Sequence, residues 1–291
     1  LVRPAILARE QADRLDHDGR FPPVGLVWAM IRFLAIAFLV LFAGNASAEN
    51  VRFPSVAVGT SAAGPEITGW LYRPSGAGPF PAIVLAHTCG GVSEHTNVWG
   101  KLLASWGYVV VAPDSFGPRG VKSVCGRGNV VNGSMRVADV AGALDFLNAQ
   151  PFVRRGDIGL IGHSHGGWTV MRAVQKSYDL ASRGLKAAVA YYPSCAPQFD
   201  RDVAVPLLIL IGERDDWTPA ANCRKLQAAG FARPELVDAV YYPNAYHSFD
   251  SRALDRTVTV ADGKSHHLAY DPAAATDAEA RTRAFFDKYL R

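Results

Sequence analysis

Short apolar runs alternate with longer amphipathic segments along most of this chain of 291 residues. Each run is rich in Val, Ile and Leu and is apolar on both faces, which is typical of strands in a parallel sheet that helices cover on each side. The predicted strands of this kind span 82–87, 108–114, 158–164, 186–193, 206–215 and 237–247. Upstream, 51–58 and 66–73 predict an antiparallel pair, because a turn-rich segment separates them.

Helices are predicted between these strands, from apolar residues that recur at three- and four-residue steps. In 134–148, for example, Val137, Val140 and Leu144 fall on one face. The other predicted helices lie near 97–106, 166–178, 219–230 and 273–291. Strands that alternate with helices in this way predict a single α/β domain over 49–291, with a mostly parallel central sheet and helices on both faces.

The segment 30–48 has the pattern of a signal peptide. Arg32 supplies a short positive region, an uninterrupted apolar stretch follows it, and Ala46-Ser47-Ala48 is a small-residue cleavage site. We therefore expect cleavage after Ala48 and export of the protein, which then stays in a periplasm or leaves the cell.

Residues 1–29 have mixed charge and no sustained periodicity, so we expect Met30 to be the true initiator and 1–48 to be absent from the mature protein. The alternative is a membrane anchor over 24–43, a length that is about sufficient to span a bilayer. Arg32 interrupts that stretch, and a cleavage site follows it.

Composition and charge exclude several classes of protein. The chain is 49% hydrophobic and 19% charged, which fits a globular domain, and its 30 basic and 26 acidic residues leave a net charge of +4. Because these charges are scattered, the chain has no nucleic-acid footprint. After cleavage we expect neither a nucleic-acid partner nor a stable membrane anchor.

The four cysteines all lie after the predicted cleavage site, which favours disulfides in an oxidising compartment. Three pairings are possible. The order of the predicted elements favours Cys89 with Cys125 and Cys195 with Cys223, and four buried free thiols are the alternative.

The motif Gly162-His163-Ser164-His165-Gly166 follows a predicted strand and precedes a predicted helix. In a G-x-S-x-G turn the glycines leave room for the backbone, and the serine is held exposed in a strained conformation. The N-terminus of the following helix presents unpaired N–H groups where an oxyanion forms. Ser164 is therefore the candidate nucleophile, and the alternative is a structural turn with a capping serine.

A serine nucleophile needs a histidine base, and that base needs an acid. We predict His247 as the base, because it follows a strand in "PNAYHSF", whereas His266 and His267 lie in a polar stretch and are expected to be solvated. The predicted acid is Asp215, which ends the run "LLILIGERD" and so reaches the carboxyl edge of the sheet, where ligands bind in α/β folds. Its neighbour Asp216 is the competing candidate.

Two backbone N–H groups are predicted to form an oxyanion hole, those of His165 and Cys89. Cys89 lies in "HTCGGV", the loop after the first parallel strand, and a disulfide to Cys125 would hold that loop in place. His87 in the same loop is expected to be a buried structural residue. The glycine-rich segment 115–133 is a candidate to overhang the site.

The pair of His163 and His165 has the spacing H-x-H, but no matching cluster supplies a third ligand. We therefore expect no metal and no other cofactor. His163 itself has no assigned chemistry.

Several motifs together resemble the dienelactone hydrolase family of the α/β-hydrolase superfamily. They are "HTCGG", "APDSFGPRG", "GHSHGG", "IGERDDWTPAANC", "YHSFD" and "AYDPAAATDAEARTRAFFDKYL", and they span nearly the whole chain from about residue 50. The resemblance implies an α/β-hydrolase fold. It also implies a nucleophile at Ser164, an acid at Asp215, a base at His247 and oxyanion donors at Cys89 and His165.

The chain also departs from the family's name-giving enzymes, which are cytosolic, use a cysteine nucleophile and have an acidic residue in the loop that reads "HTCGG" here. Those enzymes bind a substrate carboxylate through arginines, and Arg119 is the candidate for that role in this chain. Taken together, the resemblance and the departures imply an exported serine esterase that acts on small carboxylic esters or lactones.

Two other functions compete with this interpretation. A peptidase of the prolyl-oligopeptidase kind shares the fold, but usually carries a propeller domain for which these 291 residues leave no length. A non-catalytic binding protein with an α/β-hydrolase fold tends to lose a member of the triad, and all three candidates are present here.

Overall fold

Eight strands form the central sheet of the computed structural model, which describes residues 48–291. In chain order they are β1 Glu49–Pro54, β2 Glu66–Tyr72, β3 Phe80–Ala86, β4 Val109–Asp114, β5 Val153–His163, β6 Leu185–Tyr191, β7 Leu207–Gly212 and β8 Val237–Tyr242. They lie side by side in the order β1-β2-β4-β3-β5-β6-β7-β8. Each strand that the hydrophobic pattern predicts is present.

The sheet is mostly parallel. The pairs β1 with β2 and β2 with β4 are antiparallel, and all pairs from β4 to β8 are parallel. Every residue of β7 is buried, which requires cover on both faces of the sheet. Because parallel strands end at the same edge, the loops after β3, β5, β7 and β8 gather there.

The five predicted helices are also present. They are α1 Glu94–Ser105, α2 Gly133–Asn148, α3 His165–Ala173, α4 Ala220–Ala229 and α5 Pro272–Leu290. The side chains of Asn132 and Asp271 cap the N-termini of α2 and α5 by accepting hydrogen bonds from backbone N–H groups. Helix α3 is shorter than predicted, because the chain turns at Gln175 to form a bridge with Val203.

A short hairpin was not predicted. Its strands are β9 Asp255–Thr259 and β10 Ser265–Ala269, which pair with each other in a separate antiparallel sheet. The segment is polar, so the hydrophobic pattern carried no signal for it. The expectation that His266 is solvated is wrong: its side chain is buried, because its ring stacks on that of Trp217 with 4.7 Å between the centroids.

Two disulfides link parts of the chain that are distant in sequence. They join Cys89 to Cys125 and Cys195 to Cys223, and leave no free cysteine among the described residues. The predicted signal peptide and the segment before it lie outside those residues, apart from Ala48. Within 48–291, no helix has the length and apolar character that a membrane span requires.

Candidate active site

Ser164 stands at the tight turn between β5 and α3. Its backbone φ of 57° lies in the left-handed region, which costs a residue other than glycine on the order of 1–3 kcal/mol. Both flanking glycines are required by space. A Cβ on Gly162 would lie 2.2 Å from the carbonyl oxygen of Gly166, and one on Gly166 would lie 2.1 Å from that of Ala86. The G-x-S-x-G pattern therefore reflects a turn that holds the serine in a strained conformation.

A continuous chain of hydrogen bonds runs from Ser164 through His247 to Asp215. His247 Nε2 lies 2.9 Å from Ser164 Oγ, and His247 Nδ1 lies 2.8 Å from Asp215 Oδ2. All three residues are buried. The loops after β5, β7 and β8 supply one residue each, as the edge of a parallel sheet allows. The geometry is that of a nucleophile, a base and an orienting acid.

Asp215 is oriented by its own loop. Its Oδ1 accepts hydrogen bonds from the backbone N–H groups of Trp217 and Thr218, at 2.9 and 2.8 Å, and the Thr218 hydroxyl lies 2.9 Å from Oδ2. This is the turn that an aspartate makes with the backbone two and three residues on. The competing Asp216 faces the hairpin instead, where its Oδ2 accepts from the N–H of His267 at 3.2 Å.

The two predicted oxyanion donors reach the same place. Cys89 follows β3 and His165 begins α3, and both line one cavity with Ser164. Among residues 48–291, neither backbone N–H donates to a protein acceptor. A backbone N–H without a protein acceptor is the kind of group that an oxyanion hole requires.

Arg136 is a buried residue that the sequence did not single out, and it links His87, in the loop after β3, to the ring of His165. Its Nη1 donates to the carbonyl oxygen of His87 at 3.0 Å and to Nδ1 of His165 at 2.8 Å. Because a guanidinium only donates, His165 Nδ1 is the acceptor and the proton of that ring is on Nε2, 3.4 Å from the carbonyl oxygen of Gly128.

Burial keeps the two histidines beside Arg136 neutral. Desolvation, reinforced by the positive charge of Arg136, lowers the pKa of His165 to about 3. The same two causes hold the pKa of His87 well below its ordinary value. His87 is therefore a buried structural residue, as expected.

The cavity above Ser164 has a volume of about 280 Å³. Its wall includes the disulfide at Cys89, the loop that carries Cys125, and residues from the helix and the strand-end loops. The lining residues are Cys89, Val124, Gly126, Gly128, Ser164, His165, Trp168, Ser194, Trp217, Thr218 and Asp262. The glycine-rich segment 115–133 thus overhangs the site, and the turn of the unpredicted hairpin reaches it through Asp262.

Arg119 is not among the residues that line this cavity, so its predicted contact with a substrate carboxylate is corrected. Its guanidinium donates to both carboxylate oxygens of Asp139, at 2.9 and 2.8 Å, and to the carbonyl oxygen of Ser115 at 2.7 Å. The side chain is 11% exposed and that of Asp139 is 1% exposed. Arg119 therefore forms a buried ion pair with Asp139.

His163, on the other side of Ser164, turns toward a second group of polar side chains. Its ring packs on those of Trp99 and Tyr191, with centroids 4.8 and 4.7 Å away. Burial lowers the pKa of His163 to about 3, although Asp250 is nearby, 3.7 Å from its Nε2. The two histidines of the motif thus lie in different environments.

Comparison with known proteins gives the family. The model of the dienelactone hydrolase family matches residues 67–290, which is most of the described chain. The chain belongs to the dienelactone hydrolase family. As a member it is a hydrolase of carboxylic ester or lactone bonds, with the α/β-hydrolase fold.

Curated relatives of this dienelactone hydrolase family member are provisionally named carboxymethylenebutenolidases. One from Synechocystis sp. is 22% identical over 78% of this chain and 93% of its own length, and one from Methylorubrum extorquens is 26% identical over 68% and 73%. A solved structure from Klebsiella pneumoniae, provisionally named a dienelactone hydrolase, has a TM-score of 0.64 at 22% identity and covers 84% of this chain and all of that one.

The same fold also occurs in other hydrolases. A dienelactone hydrolase-like promiscuous phosphotriesterase from metagenomic libraries matches with a TM-score of 0.65 at 20% identity, over 84% of this chain and 99% of its own. An acylaminoacyl peptidase from Pyrococcus horikoshii matches with a TM-score of 0.60 at 19% identity, over 88% of this chain and 43% of its own. At these identities the likeness is one of fold, so the substrate must be argued from the site.

Proposed function

We propose that this protein is a serine esterase that acts through an acyl-enzyme on Ser164. His247 Nε2 accepts the proton of the hydroxyl as Oγ attacks the carbonyl carbon of the ester. The resulting oxyanion accepts hydrogen bonds from the N–H groups of Cys89 and His165. As the tetrahedral intermediate collapses, the ester C–O bond breaks and the leaving alcohol takes the proton from His247.

Hydrolysis of the acyl-enzyme reverses these roles. A water molecule loses a proton to His247 Nε2 and adds to the acyl carbon. The second tetrahedral intermediate then expels Ser164 Oγ, which regains the proton, and the carboxylic acid leaves. Asp215 holds His247 in the correct tautomer and stabilises the positive charge that develops on its ring.

The observation that carries this proposal is the unbroken contact of Ser164 Oγ with His247 Nε2 and of His247 Nδ1 with Asp215 Oδ2, at 2.9 and 2.8 Å. A serine hydroxyl is a weak nucleophile unless a base takes its proton, and these two hydrogen bonds place a base and its orienting acid beside the hydroxyl. The strained φ of Ser164 supports the same role.

The lining of the cavity favours neutral esters with small acyl groups. None of its lining residues is an arginine or a lysine, and the single acid, Asp262, forms an exposed pair with Lys264 at 3.1 Å. A substrate carboxylate would thus lose its hydration without gaining a cationic partner. The small volume, about 280 Å³, and the rings of Trp168 and Trp217 suit a short acyl chain.

A matched pair of esters tests the charge preference. The half-ester of a short dicarboxylic acid and its ester amide are nearly isosteric and differ in one charge, so we expect kcat/KM to be higher for the ester amide by at least tenfold. Ser164→Ala should abolish turnover of both. Equal or higher kcat/KM for the half-ester would contradict the assigned substrate class, and full turnover by Ser164→Ala would contradict the mechanism.

We further propose that the mature protein is exported and begins after Ala48. The two disulfides fit an oxidising compartment, and the signal-peptide pattern ends at Ala48, one residue before β1 begins at Glu49. N-terminal sequencing of the protein from its host should give Glu49 as the first residue. A chain that begins before Met30, or keeps the apolar stretch, would overturn this proposal.

A further inference from the structure

Two histidines and an aspartate that are far apart in sequence meet beside the strand that carries Ser164. His95 is on α1, His163 ends β5, and Asp250 is in the loop that follows the base His247. One ligand atom from each lies within 4.8 Å of the other two. None of the three lines the active-site cavity. We call this group the His95–His163–Asp250 cluster.

One atom of the cluster is buried without a hydrogen-bond partner. His163 is 1% exposed, and its Nε2 makes no hydrogen bond, although a buried ring nitrogen without a partner is costly. The nearest acidic oxygen, Asp250 Oδ2, is 3.7 Å away, which is too far for a hydrogen bond but close to the separation of two ligands on one ion. The nitrogen is aimed at the cluster.

Asp250 is oriented as a metal-binding carboxylate is. Its Oδ1 accepts from the hydroxyl of Tyr192 at 2.7 Å, and its Oδ2 accepts from Nε1 of Trp99 at 2.8 Å. Such outer hydrogen bonds fix the direction of a ligand and are a regular part of metal sites. A second lone pair of Oδ2 faces His95 Nε2 at 2.7 Å.

We propose that the His95–His163–Asp250 cluster binds one divalent transition-metal ion of the Zn²⁺ class, through Nε2 of His95, Nε2 of His163 and Oδ2 of Asp250. Two imidazole nitrogens and one carboxylate oxygen are ligands that such ions prefer, whereas Ca²⁺ and Mg²⁺ prefer oxygen alone. This assignment does not depend on the proposed esterase mechanism, because it shares no residue with it.

The ligand atoms lie within 4.8 Å of one another and must move to a common separation to accept the ion. Ligand bonds of about 2.0–2.2 Å in a tetrahedral site place the ligand atoms about 3.4 Å apart. The present separations from Asp250 Oδ2, 2.7 Å to His95 and 3.7 Å to His163, lie on either side of that value. The ion takes the place of the proton between His95 Nε2 and Asp250 Oδ2, and the neutral ring of His95 then carries its one proton on Nδ1. The side chain of His95 is 19% exposed, so the ion enters beside it and a water molecule completes the coordination.

The ion would tie together three segments that position the triad. Helix α1, the end of β5 at Ser164 and the loop of His247 would be linked by one centre, so metal binding is expected to stabilise the folded protein. The expected role is structural, because the cavity that holds the substrate does not include the cluster.

Direct metal titration tests the proposal. The full-length mature protein, without a histidine tag and treated with a chelator, is titrated with Co²⁺ while visible absorption is recorded, and Zn²⁺ is then used to displace the Co²⁺. We expect one Co²⁺ per chain with the strong absorption of a tetrahedral site, loss of that absorption on addition of one Zn²⁺, and a higher melting temperature with Zn²⁺.

Four variants locate the site. His95→Gln replaces a partly exposed ligand, and we expect it to weaken binding more than about 100-fold and to remove the rise in melting temperature, while Trp99→Phe, which loses only an outer hydrogen bond, weakens binding about tenfold. Asp250→Asn should behave as His95→Gln does. His247→Gln is the matched control at the other buried histidine and aspartate pair, and should bind Co²⁺ as the wild type does.

The proposal fails if the wild-type protein binds no Co²⁺ or Zn²⁺ at micromolar concentrations. It also fails if folded His95→Gln, with the circular dichroism spectrum of the wild type, binds the ions as tightly as the wild type does. Binding that is lost in His247→Gln but kept in His95→Gln would assign the ion to the triad and overturn the site proposed here.

Discussion

The edge of the parallel sheet and the cover above it are built in different ways. The cover consists of the glycine-rich segment 115–133 and the hairpin of β9 and β10, which both reach the cavity. Ser164, Asp215 and His247 each follow a strand of the parallel sheet, and short-range turn geometry orients them. The cover is assembled from contacts between distant segments, such as the disulfide from Cys89 to Cys125.

The hairpin adds a second set of such contacts to the cover. The ring of His266 stacks on Trp217, and the N–H of Ala261 donates to the carbonyl oxygen of Cys125 at 3.4 Å. In the proposed mechanism the sheet edge carries the reacting residues, and the cover lines the cavity. Substitutions in the two regions should have different effects. Those at the sheet edge should lower kcat, and those in the cover should lower kcat/KM or stability.

Removal of the base should have the largest effect. His247→Ala leaves Ser164 without a proton acceptor, so we expect kcat to fall by about 10⁶, as removal of a triad base does. The matched variant is His267→Ala on the hairpin, where the side chain lies outside the hydrogen-bonded chain and kcat should stay within a few-fold of wild type. Steady-state hydrolysis of a nitrophenyl ester measures both. A similar loss in the two variants would contradict the assignment of the base.

The neighbouring aspartates give the next largest contrast. Asp215→Asn keeps the shape of the side chain but no longer fixes the tautomer of His247, and we expect kcat to fall about 10⁴-fold. Asp216→Asn alters only contacts to the hairpin and should change kcat less than tenfold. Their kcat values, measured with one ester at one pH, decide between the two acids. The assignment is wrong if Asp216→Asn is the more damaging change.

The two disulfides separate stability from activity. They close loops of similar length, 36 and 28 residues, so loss of either by paired Cys→Ser changes should cost about 3–4 kcal/mol of unfolding free energy. The disulfide between Cys89 and Cys125 holds the loop of Cys89, a proposed oxyanion donor, to segment 115–133. Its loss alone should therefore lower kcat/KM, by about tenfold. Urea unfolding and ester hydrolysis measure the two effects. An equal loss of kcat/KM in both double variants would remove the distinction.

A smaller effect is expected when the pH falls. The folded state keeps the pKa of His165 at about 3 and that of His87 well below 6.5, so both stay neutral where the unfolded chain binds protons. Their contribution to stability is complete above about pH 6.5 and is lost progressively toward pH 3. Between about pH 6 and pH 5 each of these histidines should lower the free energy of unfolding by about 1 kcal/mol.

Urea unfolding at these two pH values measures that change. His165→Gln should make that fall smaller by about 1 kcal/mol, which is the share of one neutral histidine. Stability that rises as the pH falls, or a slope unchanged in His165→Gln, would contradict the assigned environment of these residues.

The sheet was predictable because its strands carry their own signal. Runs such as 206–215 are apolar on both faces, and the glycines on either side of Ser164 predict the tight turn that holds it. Asp215 and His247 could be placed because parallel strands end at one edge. The sequence favoured Asp215 over its neighbour Asp216, but the hydrogen bonds that distinguish the two depend on which way each carboxylate turns.

The rest could not be predicted, because it depends on contacts between distant residues. The hairpin is polar, and its place is set by Trp217. Arg119 resembles a substrate-binding arginine in sequence, and only the fold shows that it forms a buried ion pair with Asp139. His163 lies beside His95 and Asp250, which come from a helix and a loop far away in the chain. No local spacing in the sequence therefore predicts this cluster.

Labelling with a fluorophosphonate probe tests whether Ser164 is the nucleophile, because the probe reacts with an activated serine and leaves a phosphonyl group on it. We expect one adduct per chain, located by peptide mass spectrometry on Ser164, and no adduct in Ser164→Ala or when His247 is replaced by Ala. Ser194, which lines the same cavity, should remain unmodified. An adduct on Ser194 or any other residue, or labelling at an undiminished rate in the Ser164→Ala protein, would contradict this assignment.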